Sequence, residues 1–308
     1  MFSPNDFLTI QFSVSILKPF GAKKCQAPKP SAFLYLGANR EGFKQLNFLA
    51  DKVCHKVYCN DKLTIALYLF RAIDFMKLET KISEIIPRTA DVSSYRFRRP
   101  AELTYKPGQF FFVTIKQDEK ELTHHFSFSS SPTETDFFEF TKKFTDHEYS
   151  LALKASKVGD WAKIDAPYGQ FTFEGEYPKI ALLAGGIGIT PFISIIKNAT
   201  DKHFNGKVVL FFGCRTEGDI AFQRELEEMQ RQNKNLKVCF IVNQPSSDWR
   251  GATGIITSDM IRKELPDFNE YMFYTCGPPP MVKAIEAIIA SLGLPKEQMK
   301  QEYFTGYP

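Results

Sequence analysis

Cysteine is scarce and irregularly placed in this chain of 308 residues: Cys25, Cys54, Cys59, Cys214, Cys239 and Cys276 are its six copies. That excludes a disulfide framework and favours a reducing compartment, the cytoplasm. Cys54 and Cys59 have the gap that opens a plant-type iron–sulfur loop, but such a loop needs a third Cys after two more residues. Position 62 is Lys, so no cluster is expected there. Long apolar runs are absent too. The stretch LTIALYLF at residues 63 to 70 falls far short of the roughly 20 residues that span a bilayer. The opening MFSPNDFLTIQFSVSILKPF has neither a basic leader nor a small-residue cleavage site, so no secretion signal is expected. Charge of one sign is missing as well, since 39 basic residues face 35 acidic ones for a net charge of +4. Scattered as they are, these charges give no electrostatic case for nucleic acid or an anionic membrane as partner. Nor is there an HExxH helix, a nucleophile elbow or an acid pair spaced for hydrolysis, so no metal and no hydrolytic chemistry are expected.

What is present is aromatic. The 30 Phe residues serve mainly as core, although flat side chains also make platforms for flat ligands. With 44% hydrophobic and 24% charged residues, the balance is that of a soluble globular protein. The length predicts two compact domains with an extra segment.

Residues 1 to 75 are poorly patterned, with Pro and Lys scattered through KPFGAKKCQAPKPSA. From Met76 the texture changes to short β-branched or aromatic runs, among them KLETKISEII, SSYRFRRP, GQFFFVTIKQ, THHFSFSSS, FFEFTKKF and WAKIDAPYG. Broken by Pro, Gly and Asp, these predict about six strands of an antiparallel barrel before residue 175. A second change comes at Lys179. KIALLA, GKVVLFF, LKVCFIV and YMFYTCG read as strands buried on both faces. Between them, IAFQRELEEMQRQNK puts Ile220, Phe222, Leu226 and Met229 near one helical stripe, and PPPMVKAIEAIIASLG does so for Met281, Ile285 and Ile288. Alternating strands and helices call for a parallel sheet covered by helices.

LLAGGIGITP runs from a buried strand through Gly185, Gly186 and Gly188 into Thr190 and Pro191 at the start of FISIIKNAT. Glycines let the backbone turn tightly and approach a ligand, and free amides at a helix start attract phosphate. Thr190 as cap and Pro191 in the first turn sharpen that start. The placement after a strand and before a helix points to a dinucleotide pyrophosphate. In YTCGPPPM, Cys276 ends a late strand on the same ligand-facing edge, with Gly277 and Pro278 leading into a helix near Met281.

With these residues in view, the chain from about Met76 to Tyr307 resembles the ferredoxin–NADP reductase family of flavoproteins. YKPGQFFFV, HHFSFSSSP, VGDWAKIDAPYGQF, GGIGITP, FGCRTEGDIAFQREL, CGPPPM and KQEYF occur in the family's order. The resemblance implies an FAD-binding antiparallel β-barrel at 76–175, an NAD(P)-binding α/β parallel-sheet domain at 176–308, and an N-terminal extension at 1–75 outside the pattern. The implied activity is hydride transfer from NADH or NADPH to FAD, with electrons passed to an acceptor such as an iron–sulfur protein. Phe126 would lie against the flavin and the Ser127 hydroxyl near the ring nitrogen that takes the hydride, with Cys276 on the nicotinamide side. Glu302 matches the acid of the closing motif and Phe304 its terminal aromatic, with Tyr303 and Tyr307 as competing covers. His124 stands where the family has the Arg that neutralises the FAD pyrophosphate, and His125 follows it. The Gly expected before Ser150 in the next phosphate loop is His147. Lys142 and Lys143 are neighbouring sources of positive charge. A His of ordinary pKa about 6.5 predicts FAD affinity that falls as pH rises through its titration. His124 with Phe126 also resembles the flavin motif of ferric reductases, so such a module, or an electron-transfer or redox-sensing subunit of a larger complex, is the alternative. Arg215 lies where a ribose 2′-phosphate could sit, while FIVNQPSSDW offers no second basic residue, so both donors are compatible with the chain.

Overall fold

The computed structural model describes residues 76–304. The Cys54–Cys59 gap, the LTIALYLF run and Tyr307 lie outside them. Among the described residues no helix is long and apolar enough to cross a membrane.

The first six strands are β1 (Met76–Thr89), β2 (Val92–Arg98), β3 (Phe110–Gln117), β4 (Lys120–Ser127), β5 (Phe137–Lys143) and β6 (Trp161–Tyr168). They form an antiparallel sheet in the order β4-β3-β6-β1-β2-β5. Its curl comes from β1, which pairs with β6 through Lys81 and with β2 from Ile82, with a register break between Ile82 and Glu84. Such a break bends a strand and increases its twist. The two outer strands then meet through a bridge between Phe128 and Phe140. Period-2 alternation sends Tyr95, Phe97, Phe111, Val113, Phe126, Phe138 and Phe140 inward. Phe140 lies 4.3 Å from Phe126 and 5.2 Å from Tyr95, centroid to centroid. Six of the Phe residues thus fill the barrel core. Helix α1 (Glu148–Ala155) links β5 to β6.

The second sheet contains β7 (Lys179–Gly185), β8 (Lys207–Cys214), β9 (Leu236–Val242), β10 (Ala252–Thr253), β11 (Met272–Gly277) and β12 (Met299–Tyr303). It runs β10-β9-β8-β7-β11-β12, and every pairing is parallel. Helices α2 (Thr190–Asp201) and α3 (Gln223–Gln232) belong to the core of one face, with Leu182, Ala184, Leu210 and Tyr274. Helices α4 (Ser258–Glu264) and α5 (Pro279–Ser291) cover the other face over Ala181, Leu183, Phe211 and Phe273. Burial on both faces explains the unbroken apolar runs. The strand order reverses between β7 and β11, so the ligand crevice of such a sheet falls at their carboxyl ends.

Two helix boundaries depart from the sequence expectation. α3 begins at Gln223, so Ile220 and Phe222 precede it and only Leu226 and Met229 form its buried stripe. Phe222 adopts φ +62°, which ends the preceding turn. α5 begins at Pro279, two residues before Met281, and buries Val282, Ile285 and Ile289. Ile288 and Met281 sit at the edges of that stripe, and Pro279 and Pro280 occupy the first turn, where the missing N–H groups cost nothing.

Candidate active site

The Gly185–Gly188 turn and the end of β11 are in direct contact. A Cβ on Gly188 would lie 2.2 Å from the Cys276 carbonyl oxygen and 2.7 Å from Gly277 Cα. No side chain fits there. Gly186, at φ +49°, has nothing within 4 Å of the position a Cβ would take, so this face of the turn is open. The opening leads into a cleft of about 510 Å³ lined by Gly185–Ile187, Gly213–Arg215, Asp219, Asn243 and Met281, with Asp91 and Lys143 from the other sheet.

The helix behind the turn starts differently from expectation. Gly186–Ile189 forms a short 3-10 turn, and Thr190 is the first residue of α2 rather than its cap. The Thr190 hydroxyl donates to Ile187 O at 3.2 Å. Pro191 does sit in the first turn, where its missing N–H costs nothing.

A second cavity adjoins this edge, walled by Phe110, His124–Ser127 and Thr141 of the first sheet and by Ile187, Thr190 and Glu302–Phe304 of the second. It gathers His124, His125, Phe126, Ser127, Thr190, Glu302 and Phe304 of the sequence-selected residues. Cys276 and Glu302 are register partners on β11 and β12, and Sγ donates to Oε2 at 3.9 Å. Cys276 is fully buried, and burial, followed by the neighbouring carboxyl, pushes its thiol well above the usual range. At neutral pH it is a protonated thiol and not a nucleophile. Burial pushes Glu302 up to about 7. The alternation of β12 sends Glu302 and Phe304 to one side, with Phe304 N held by Gly277 O at 2.9 Å. The Tyr303 hydroxyl donates to Glu286 of α5 at 2.6 Å.

On β4, the inward-facing Phe126 packs on Phe140, and His124 stacks on Phe126 at 5.0 Å. His125 faces outward with Phe110 and Phe112. Burial lowers the pKa of His124, with its Nδ1 contact to His125 O opposing, so the imidazole is neutral at pH 7. The charge expected of it is therefore present only on the acid side of its ordinary range. Lys142 and Lys143 sit on opposite faces of β5. Lys142 is buried, donates to Lys143 O at 2.6 Å, and is brought down to about 8 by burial, while its charge still reaches His124. Lys143 pairs with Asp91 at 3.3 Å and lines the 510 Å³ cleft. The Ser150 hydroxyl accepts from Thr145 N at 2.8 Å, closing the loop between β5 and α1. In that same loop the buried Thr145 hydroxyl has no partner.

Arg215 is exposed, and its Nε lies 3.4 Å from Asp219 Oδ2. Despite partial burial, hydrogen bonds from Thr216 hold the Asp219 carboxyl below its usual value, so it stays ionised. Pro278 caps α5, directly after Gly277. The sequence reading missed Phe110, Thr141, Ile187, Asp219 and Asn243. Phe110 follows the PGQ turn and Thr141 alternates with Phe140, so strand periodicity could have exposed both. Asp219 and Asn243 enter through loops after β8 and β9, which no periodicity marks.

Residues 79–173 match the model of the oxidoreductase FAD-binding domain, and residues 182–287 that of the oxidoreductase NAD-binding domain. The chain is 32% identical over 220 residues to NADH-cytochrome b5 reductase 1 of Aspergillus terreus, covering 67% of this chain and 74% of that one. It is 29% identical to the glycine betaine monooxygenase reductase subunit of Chromohalobacter salexigens, over 73% of this chain and 63% of the relative. The solved ferredoxin reductase of carbazole 1,9a-dioxygenase superimposes with a TM-score of 0.67 at 26% identity, covering 76% of this chain and 70% of that one. The chain belongs to the ferredoxin–NADP reductase family of flavin- and pyridine-nucleotide-binding oxidoreductases. It is an FAD-dependent NAD(P)H oxidoreductase that moves a hydride from the nicotinamide to FAD and passes the electrons to an acceptor.

The residues present fit both groups. The open backbone at Gly186 suits a pyrophosphate. The Phe110, Ile187 and Phe304 walls with the Ser127 hydroxyl suit a flat heterocycle with a polar edge. The orphaned Thr145 hydroxyl suits a phosphate oxygen.

Proposed function

We propose that the cavity between Ser127, Thr141 and Phe304 takes the isoalloxazine ring of FAD, that the cleft at Gly186 takes NADH, and that the electrons leave to a one-electron protein acceptor. When bound, FAD supplies the two-electron to one-electron step. The protein supplies placement and the exclusion of water. In this reading Ser127 donates a hydrogen bond beside the hydride-accepting nitrogen, and the small neutral thiol of Cys276 stands on the nicotinamide side. Glu302 keeps a proton near neutral pH beside that thiol, and Phe304 covers the ring position until the nicotinamide displaces it. Gly185, Gly186, Gly188, Gly277 and Pro278 give the nucleotide backbone its approach, with α2 starting behind them at Thr190 and Pro191. The phosphates of FAD fall to His124, His125, Lys142, Thr145 and the Ser150 loop, whereas Lys143 serves the donor's cleft. The observation that carries this reading is the contact of Gly188 with Cys276 and Gly277, which sets the pyrophosphate turn against the wall that also bears Glu302.

NADH is favoured because Arg215 already shares its charge with the ionised Asp219, which would repel a 2′-phosphate. The relatives' names fit it, and those same names point to a haem or iron–sulfur protein as acceptor. Free thiols at Cys214, Cys239 and Cys276 suit the cytoplasm. Turnover measured with each donor at equal concentration tests the assignment: NADH is expected to give the larger kcat/KM, and a clear preference for NADPH would reverse it.

A further inference from the structure

We propose that Arg88 is a positioning residue that clasps the flavin-side sheet to helix α3 of the nucleotide-side sheet, and so sets the gap in which donor and flavin meet. Its side chain, only 9% exposed, leaves the end of β1 and is held on every side. Nε donates to Ser94 Oγ at 2.7 Å, and one terminal nitrogen to Glu139 Oε2 at 3.2 Å. The other terminal nitrogen bonds Glu225 of α3, and the guanidinium carbon lies 4.3 Å from the centroid of Phe222.

These contacts lead to the active site from both ends. On the flavin side, Ser94 Oγ meets Thr141 Oγ1 at 2.7 Å, Thr141 meets Ser129 at 2.8 Å, and Ser129 donates to Glu139 at 2.9 Å. The network is a closed ring, and Thr141 walls the flavin cavity. On the nucleotide side, Phe222 immediately precedes α3 and Glu225 lies in its first turn, and α3 follows the β8 end whose Gly213–Arg215 and Asp219 line the donor's cleft. Asp91, Val92 and Lys143 of the first sheet line that same cleft, so its width depends on how closely the two sheets approach.

Charge balance of the barrel alone does not call for this arginine. Glu139, 2% exposed, already has Arg96 Nε at 2.8 Å. What Arg88 adds is the tie to α3. Phe222 is a buried non-glycine residue at φ +62°, a conformation that persists only where the surroundings over-determine it. Its ring under the guanidinium is one of those constraints.

The inference rests on the cofactor assignment proposed above. Bleaching of the wild-type flavin tests that assignment and the variants test the clasp, so the two fail separately. The variants are Glu225→Gln, Arg88→Met, Arg88→Lys and the double variant Arg88→Met/Glu225→Gln, each as the full chain. Glu225 is 46% exposed, so its replacement leaves the fold intact even if an Arg88 variant does not accumulate. FAD per chain, the rate of flavin reduction at saturating donor, the deuterium isotope effect on it and the melting midpoint of flavin-free protein are measured. Because a misplacement of about 1 Å can cost about 100-fold, Arg88→Met is expected to slow reduction about tenfold with FAD content unchanged. Glu225→Gln is expected to slow it about threefold, Arg88→Lys to recover part of the rate, and the double variant to be no slower than Arg88→Met alone. In the flavin-free protein the two melting shifts are likewise expected to be less than additive. Wild-type reduction rates in Glu225→Gln, strictly additive effects, or loss of FAD from Glu225→Gln would each overturn the proposal.

Discussion

Burial decides which side chains carry charge at this site. Glu302 is raised to about 7, so it is protonated below that pH and ionised above it. If turnover draws on its proton, kcat falls as pH rises through about 7, and Glu302→Gln abolishes that limb while lowering the maximal rate. Linkage gives a second reading of the same group. A carboxyl raised in the folded state contributes stability that is complete below its unfolded value and is lost as pH rises through the folded one. Wild-type stability should carry a decline ending near pH 7 that Glu302→Gln lacks. A pH profile unchanged by Glu302→Gln would remove the carboxyl from the mechanism.

The same reasoning governs the side chains proposed to hold the FAD phosphates. In the free protein His124 is lowered by burial, and Lys142 is lowered to about 8. His124 is therefore charged only at acid pH, and Lys142 carries charge below about 8 and loses it above. FAD affinity is expected to fall in two steps as pH rises, one beginning below about 6.5 and one beginning at about 8. Lys142→Met should abolish the upper step and weaken FAD about tenfold below it, as for loss of one charged contact. Fluorescence titration with FAD across pH checks this, and an upper step that survives in Lys142→Met counts against it.

At the scale of elements, one glycine holds the two halves of the nucleotide edge together. Gly188→Ala places a methyl 2.2 Å from a backbone carbonyl, which cannot swing away as a side chain could. Overpacking of this kind costs about 1 to 3 kcal/mol, or about 2 to 10 °C of melting midpoint at this size. The donor's KM should rise with it, read by steady-state kinetics alongside calorimetry. An alanine variant with wild-type KM would mean that β11 does not take part in donor binding.

Strands were legible from their composition, in aromatic and β-branched runs such as FFFVTIKQ broken by Pro, Gly and Asp and in unbroken apolar runs such as KIALLAG, whereas their order within each sheet was not. The glycine motif was legible because only glycine suits such a close approach. The start of α2 was not. Thr190 looks like a cap, but the preceding GIGI winds into a 3-10 turn and moves the helix start, so its hydroxyl turns back on Ile187 instead. Lys142 and Lys143 read as one basic pair, whereas strand alternation parts them. Arg88 was invisible, because its partners Ser94, Glu139 and Glu225 are brought together only by tertiary structure.

At the scale of the molecule, a curled antiparallel sheet and a doubly covered parallel sheet share one crevice at the strand-order reversal between β7 and β11. Each supplies what the other lacks. The first brings hydroxyls and aromatic walls, and the second brings glycine turns and a buried acid and thiol. Two cofactors meeting at that line is the central claim. The most direct test is the visible absorption spectrum of the purified chain, recorded before and after anaerobic addition of NADH. The account predicts a bound yellow flavin that bleaches on addition of the donor and recovers its colour when an electron acceptor is admitted. A preparation reconstituted with FAD that stays unbleached by both NADH and NADPH would contradict it.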